Sequence, residues 1–163
     1  MDDYVEHMVK RNDPVYWKAA LGIAAVLTVI SLFLALQYAF ALLLLLAMLA
    51  ADYAIWLFSS VEYEYTYFGG SFELDEVLNK SRRRRIVETN SEELVLFAPK
   101  NSDSAKTEIS NAKVLDYSGT GPEDKKYAYI YTRNGNKICM YIEGTEELLK
   151  QVRRNTPQKY KTY

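Results

Sequence analysis

The chain has 163 residues with 20 Lys/Arg against 21 Asp/Glu, a net charge of -1, so its bulk charge gives no reason to expect a nucleic-acid partner. It has one cysteine, Cys139, and one histidine, His7, far apart in sequence, which argues against a disulfide, a zinc site or a Cys–His nucleophile pair. No metal or cofactor is expected.

The chain opens with a short segment, residues 1–13. Within it "DDYVEHMVKR" places Tyr4, Val5, Met8 and Val9 on one helical face. The expectation is a short amphipathic helix, either frayed or lying on a membrane surface. Next comes "NDPVYWK", with Asn12 or Asp13 as a helix cap and Pro14 in the first helical position.

From Ala19 to Ala51 there is no charged residue, and Asp52 is the sole charge from there to Phe58. As one helix this run would be roughly 60 Å long, about twice the hydrocarbon thickness of a bilayer. Two transmembrane helices are predicted instead, at about 15–36 and 38–58, inside a membrane region of 14–59. Trp17 and Trp56 lie almost equally far from the polar pair Gln37-Tyr38, and Tyr16 and Tyr53 repeat the symmetry. A hairpin turning there brings all four aromatics to one interface as anchors. A cleaved signal peptide has a much shorter apolar core and fits poorly. Lys10, Arg11 and Lys18 precede the first span, the turn is uncharged, and basic residues return after the second. Basic residues stay on the cytoplasmic side, so the expected location is the cell membrane, multi-pass, with both termini cytoplasmic. Asp52 is an intramembrane acid, a functional candidate by default. The readier account is structural: it lies near the interface, where a snorkelling Lys18 could reach it.

Residues 60–163 read as a cytoplasmic β-rich domain. "VEYEYTYFGGSFELDEV" alternates Tyr63, Tyr65 and Tyr67 with polar residues, and Gly69-Gly70 offers the positive φ of a two-residue turn. That register sets Tyr67 against Phe72 and Tyr65 against Leu74, and gathers Glu62, Glu64, Glu73 and Asp75 on the other face. "RIVET", "ELVLFAP" and "AKVLDY" are further strands, with "KNSDSAKTEISN" as a polar loop. "KYAYIYTRNGNKICMYIEG" is a second hairpin turning at Asn134-Gly135. Thr145 caps a last helix, 145–156, with Leu148, Leu149 and Val152 as its apolar stripe and Pro157 beyond its end.

"NKSRRRRIVET" holds four consecutive arginines. A strand leaving the membrane near Val61 climbs about eight residues, roughly 27 Å, before the Gly turn reverses it. Lys80, Arg82, Arg83, Arg84 and Arg85 should thus return to the bilayer, where anionic lipid attracts them. The competing expectation is a solvated, salt-bridged strand, with Arg83 and Arg85 on the acidic face and Arg82 and Arg84 on the other.

No phosphate-binding loop or nucleophile elbow is present, and "GTGP" near 119 lacks the required helix and lysine. The hairpin, short strands and capped final helix resemble a bacterial pleckstrin-homology-type domain. The segment "VEYEYTYFGGSFELDEVLNKSRRRRI" is similar to an uncharacterised family of small clostridial-type membrane proteins in which such a module follows two spans. That family implies no activity. The expected fold is a membrane α-helical hairpin plus an α+β soluble domain, with an antiparallel β-rich pleckstrin-homology-like sheet and a C-terminal helix. The expected function is that of a non-catalytic adaptor or accessory subunit in the lipid bilayer, binding a membrane or cytoplasmic protein or the inner leaflet. A second candidate is a subunit of a transport or envelope complex that packs through small residues such as Gly22, Ala25 and Ala47. An enzyme comes third. Partners are the bilayer, a protein and, as a candidate, a second copy in a homo-oligomer, with no nucleic acid.

Overall fold

The computed structural model describes residues 4–12, 15–59 and 61–162. Its first element is a strand, β1 (Tyr4–Lys10), not the expected amphipathic helix. It pairs antiparallel with β2 (Val61–Phe68), from Tyr4 opposite Phe68 to Lys10 opposite Glu62. Val5 and Val9 face Tyr67 and Tyr63 in the core, while Tyr4 and Met8 are exposed. Residues four apart share a face in a helix and in a strand alike, so the apolar pattern fitted both. Burial against β2 decides for the strand.

The β-rich domain is therefore discontinuous, residues 4–10 joining 61–162, and the expected boundary at residue 60 is corrected. Two helices fill the gap: α1 (Val15–Gln37) and α2 (Ala41–Ser59). They pack against each other through Ala24, Ser31 and Ala41, which are buried although small. Tyr38 N–H donates to Leu34 O at 2.9 Å and Ala41 N–H to Tyr38 O at 2.9 Å, so hydrogen bonds close the turn without Gly or Pro. Asp13 and Pro14 of the expected cap lie outside the described residues, as do Met1 and Tyr163.

Sheet A has the order β1-β2-β3-β4, with β3 (Ser71–Leu78) and β4 (Arg82–Thr89). The β2–β3 register matches the expectation: Tyr67 opposite Phe72, Tyr65 opposite Leu74 and Glu64 opposite Asp75. Sheet B has the order β5-β7-β8-β6, built from β5 (Leu94–Pro99), β6 (Lys113–Asp116), β7 (Lys126–Arg133) and β8 (Asn136–Glu143). All pairs are antiparallel except β6 with β8, which is parallel. The expected polar loop contains a short helix, α3 (Asp103–Ile109), whose cap Ser102 accepts a hydrogen bond from Ala105 N–H. It seats Ala105 on Ala98, Ala128, Ile130 and Cys139. The final helix, α4 (Glu146–Asn155), starts at Thr145, whose side chain accepts from Leu148 N–H.

One core lies between the sheets. Tyr65, Tyr67, Phe72 and Leu74 of sheet A meet Phe97, Tyr129, Met140 and Ile142 of sheet B, and Leu148 and Val152 of α4 close the cluster. Five tyrosines, Tyr63, Tyr65, Tyr67, Tyr129 and Tyr131, are buried in this core, the first three set there by alternation with polar neighbours along β2. Phe72 stacks on Tyr129 with ring centres 4.6 Å apart.

Candidate functional site

The register of sheet A fixes which of its ends adjoins the helices. β1 ends at Lys10 just before α1, and β2 starts at Val61 just after α2. Val61 pairs with Leu78, and Leu78 pairs with Arg82. The β3–β4 turn, residues 79–81, therefore lies at the helix-proximal end, and the Gly69-Gly70 turn at the far end. Asn79 and Lys80 hold the turn at φ of 46° and 55°, a left-handed conformation that costs a side-chain-bearing residue about 1 kcal/mol. Beside it, Met8 and Val77 floor a shallow cleft of about 500 Å³ rimmed by Lys10, Lys80, Arg83 and Glu62.

Strand alternation divides the four arginines. Arg83 and Arg85 lie on the acidic outer face. Arg83 Nη1 is 3.0 Å from Glu64 Oε1. Arg85 bonds Asp75 through Nε, and reaches Glu73 Oε2 at 2.8 Å and Glu88 Oε2 at 3.0 Å. The hydrogen bond to Asp75, with the surrounding carboxylates, raises the guanidinium pKa further. Arg82 and Arg84 turn to the opposite face, opposite Leu78 and Glu76. Both are exposed, and no ion pair holds either among the described residues.

Glu64 is unusual for an outer-face carboxylate: it is only 2% exposed. Burial first, and a hydrogen bond shared with Glu6 second, push its carboxyl above the ordinary range, against the pull of Arg83. Glu6 is moved down, chiefly by the Tyr4 hydroxyl, which donates to its Oε2 at 2.7 Å. Glu64 Oε1 faces the Arg83 guanidinium, while Oε2 is buried without a hydrogen-bond partner among the described residues.

The two sheets and the closing C-terminal helix agree with a sequence-family model matched over residues 1–162. The chain belongs to the family Bacterial PH-like domain (DUF6106). The match spans the helical hairpin as well as both sheets of the PH-like domain. No curated protein and no solved structure matches the chain.

Within this PH-like protein, the expected contact residues divide. Lys80, Arg82 and Arg84 stay together at the helix-proximal end, Arg83 is shared with Glu64, and Arg85 is absorbed by three carboxylates. Lys10 joins them across β1, which pattern reading missed because it put that segment in a helix. Asp52 accepts a hydrogen bond from Thr28 Oγ1 at 2.6 Å across the helix pair. The anticipated Lys18 contact is absent among the described residues. The Tyr16 ring lies tilted beside Trp17 and Tyr53 beside Trp56, both pairs toward the ends of the helices that join the sheet. Cys139 is fully buried, and burial pushes its thiol up to about 12, which suits packing and disfavours nucleophilic attack. Among the described residues no group of three or more His, Cys, Asp or Glu side chains could hold a metal ion.

Proposed function

We propose that the protein is a small integral membrane protein, non-catalytic, with both termini in the cytoplasm. Its helical hairpin anchors a PH-like adaptor domain whose basic end rests on the inner leaflet. The observation that carries this reading is the Val61–Leu78–Arg82 register. It sets Lys80, Arg82 and Arg84 beside the helix ends, where each cation near an anionic leaflet contributes about 1 kcal/mol. α1 is long and apolar enough to cross a bilayer over Tyr16–Gln37, and is the only such helix among the described residues. The apolar part of α2, Ala41–Leu57, has 17 residues, the short end of the spanning range. Ile23, Phe33, Leu36 and Leu43 point outward from the pair, as lipid-facing residues would. The likeness to clostridial-type two-span proteins supports the same arrangement.

The test uses the full chain in nanodiscs with and without phosphatidylglycerol. A spin label at Ser81 should meet lipid-chelated nickel far more often than one at Ser71, about 27 Å further along β3. Anionic lipid should widen the difference, and salt or the double variant Arg82→Gln/Arg84→Gln should narrow it. Equal collision at both positions would overturn the leaflet contact. Strong activity of a C-terminal reporter that works only outside the membrane would overturn the topology.

A second reading, a subunit contacting its partner through the spans, rests on Gly22. A Cβ built there meets nothing within 4 Å. Ala25 and Ala47 are also exposed, leaving a small-residue surface open to another helix.

A further inference from the structure

We infer that the outer edge of β1, beside α4, is a docking site for an extended segment of a protein partner, which adds to sheet A as a fifth strand. The inference names the protein-binding surface of the adaptor reading and rests on that reading, but not on the leaflet contact.

Each sheet has two edges, and three of the four are protected. β4 carries four arginines and a register break opposite Leu74 and Asp75. β5 is covered by the chain's own tail: Phe97 N–H donates to Lys159 O at 2.8 Å, and Lys161 N–H donates to Phe97 O at 2.9 Å. β6 has only four residues. Charge, bulges, covering segments and shortness are the usual protections of sheet edges. β1 has seven residues, no proline and no bulge.

Its free groups follow from the ladder. Arg11 N–H donates to Val61 O at 3.0 Å. Antiparallel pairs alternate, so Val5, His7 and Val9 spend their backbone groups on β2. Tyr4, Glu6, Met8 and Lys10 then direct theirs away from it. Lys10 confirms the parity, because its carbonyl accepts from Thr120 N–H at 3.1 Å. That contact closes the helix-proximal end of the edge. Among the described residues Tyr4, Glu6 and Met8 pair with no strand besides β2.

The far wall is α4. Glu147, Lys150, Gln151 and Arg154 recur on one helical stripe and, with Tyr4, Val5 and Glu6, line a cleft of about 580 Å³. The backbone donors and acceptors of β1 repeat every second residue, about 7 Å, a spacing that another strand matches and a lipid headgroup does not. The added strand would take its affinity from these main-chain bonds and its selectivity from side chains placed against α4.

Met8 allows a specific test. Its N–H points outward and its side chain is exposed, so Met8→Pro removes an outward donor while leaving the β1–β2 ladder and the buried Val5 and Val9 in place. Full-length protein in nanodiscs would be panned against a displayed library of 12-residue peptides. Selected peptides should protect the Glu6 and Met8 amides from hydrogen exchange. Met8→Pro should weaken their binding about tenfold or more, Met8→Ala should not, and Arg82→Gln/Arg84→Gln should leave it unchanged. Exchange protection at Val5 and Val9 checks that the proline variant is folded. Failure to select any peptide, or binding indifferent to Met8→Pro, would overturn the site while leaving the leaflet test standing. Self-association that Met8→Pro abolishes would overturn it in favour of a second copy of the chain.

Discussion

The β3–β4 turn of sheet A and the β7–β8 turn of sheet B each hold two residues in the left-handed region, Asn79-Lys80 within the three-residue turn 79–81 and Asn134-Gly135 in the other. The Asn-Gly pair is what a turn of this kind prefers, because glycine has no Cβ to strain. At residue 80 sheet A places a lysine instead and accepts the strain. The same contrast runs through the rest of the two layers. Sheet B is covered on its outer side by α3 and along its β5 edge by the chain's tail. Sheet A keeps an outer face of paired acids and arginines, an open β1 edge, and both connections to the helices. Local sequence in sheet B serves the fold, and the departures from local preference gather in sheet A. Departures of this kind concentrate at functional sites.

The largest effect expected of this division comes from sheet B. Phe97 has no exposed surface, stacks on Tyr127 at 5.3 Å and Tyr160 at 5.8 Å, and holds the tail through its backbone. Phe97→Ala should destabilise the protein by about 3–5 kcal/mol, read from denaturant melts in detergent. Below its transition, the Ser81 label should still meet the leaflet as in the parent. Loss of that contact in the folded variant would mean that the sheets do not separate scaffold from site.

How far this division was legible in the sequence depends on the residue. The hairpin register followed from Tyr63, Tyr65 and Tyr67 with Gly69-Gly70, because period-two alternation and a fixed turn leave one pairing. Thr145 announced the last helix, since its hydroxyl, the acids after it and the late arginines all favour one helix start. β1 was not legible. Val5 and Val9 suit either period, and their partners on β2 lie beyond two helices in sequence, where no local signal reaches. α3 was hidden because it buries one small residue, Ala105. The split among the arginines followed from alternation: Arg83 and Arg85 meet the carboxylates of the acidic face, and Arg82 and Arg84 are exposed on the other. Thr28 as the partner of Asp52 depended on how the helices face each other, which neither helix encodes alone.

A middle-sized effect should come from the acidic face of sheet A. Glu64 is held above its ordinary value of 4.5 in the folded protein, by burial first. A carboxyl raised in this way binds its proton more tightly when folded than when unfolded. Its favourable contribution is complete below the unfolded value and is lost as pH rises through the folded one. Glu64→Gln keeps a neutral group at every pH. The stability of the variant relative to the parent should therefore climb as pH rises above the ordinary carboxyl value of 4.5. A difference that stays flat over that range would show that Arg83 fully compensates the ionised form, and that the outer face is an ordinary salt-bridged surface.

The smallest effect returns to the two turns. If Lys80 is strained because its charge is wanted at the leaflet, removing the side chain should separate strain from charge. Lys80→Gly gives the β3–β4 turn a glycine at its second left-handed residue and should relieve up to about 1 kcal/mol, less what the freer unfolded chain takes back. It should also weaken the anionic-lipid dependence of the Ser81 contact, by about 1 kcal/mol for one cation. Lys80→Gln keeps the strain and removes only the charge, so it should weaken the contact by the same amount without gaining stability. Thermal melts and nickel collision on both variants give four numbers. If Lys80→Gly gains stability and leaves the leaflet contact as it was, the strained lysine serves no membrane role, and the basic end of sheet A is a solvated turn.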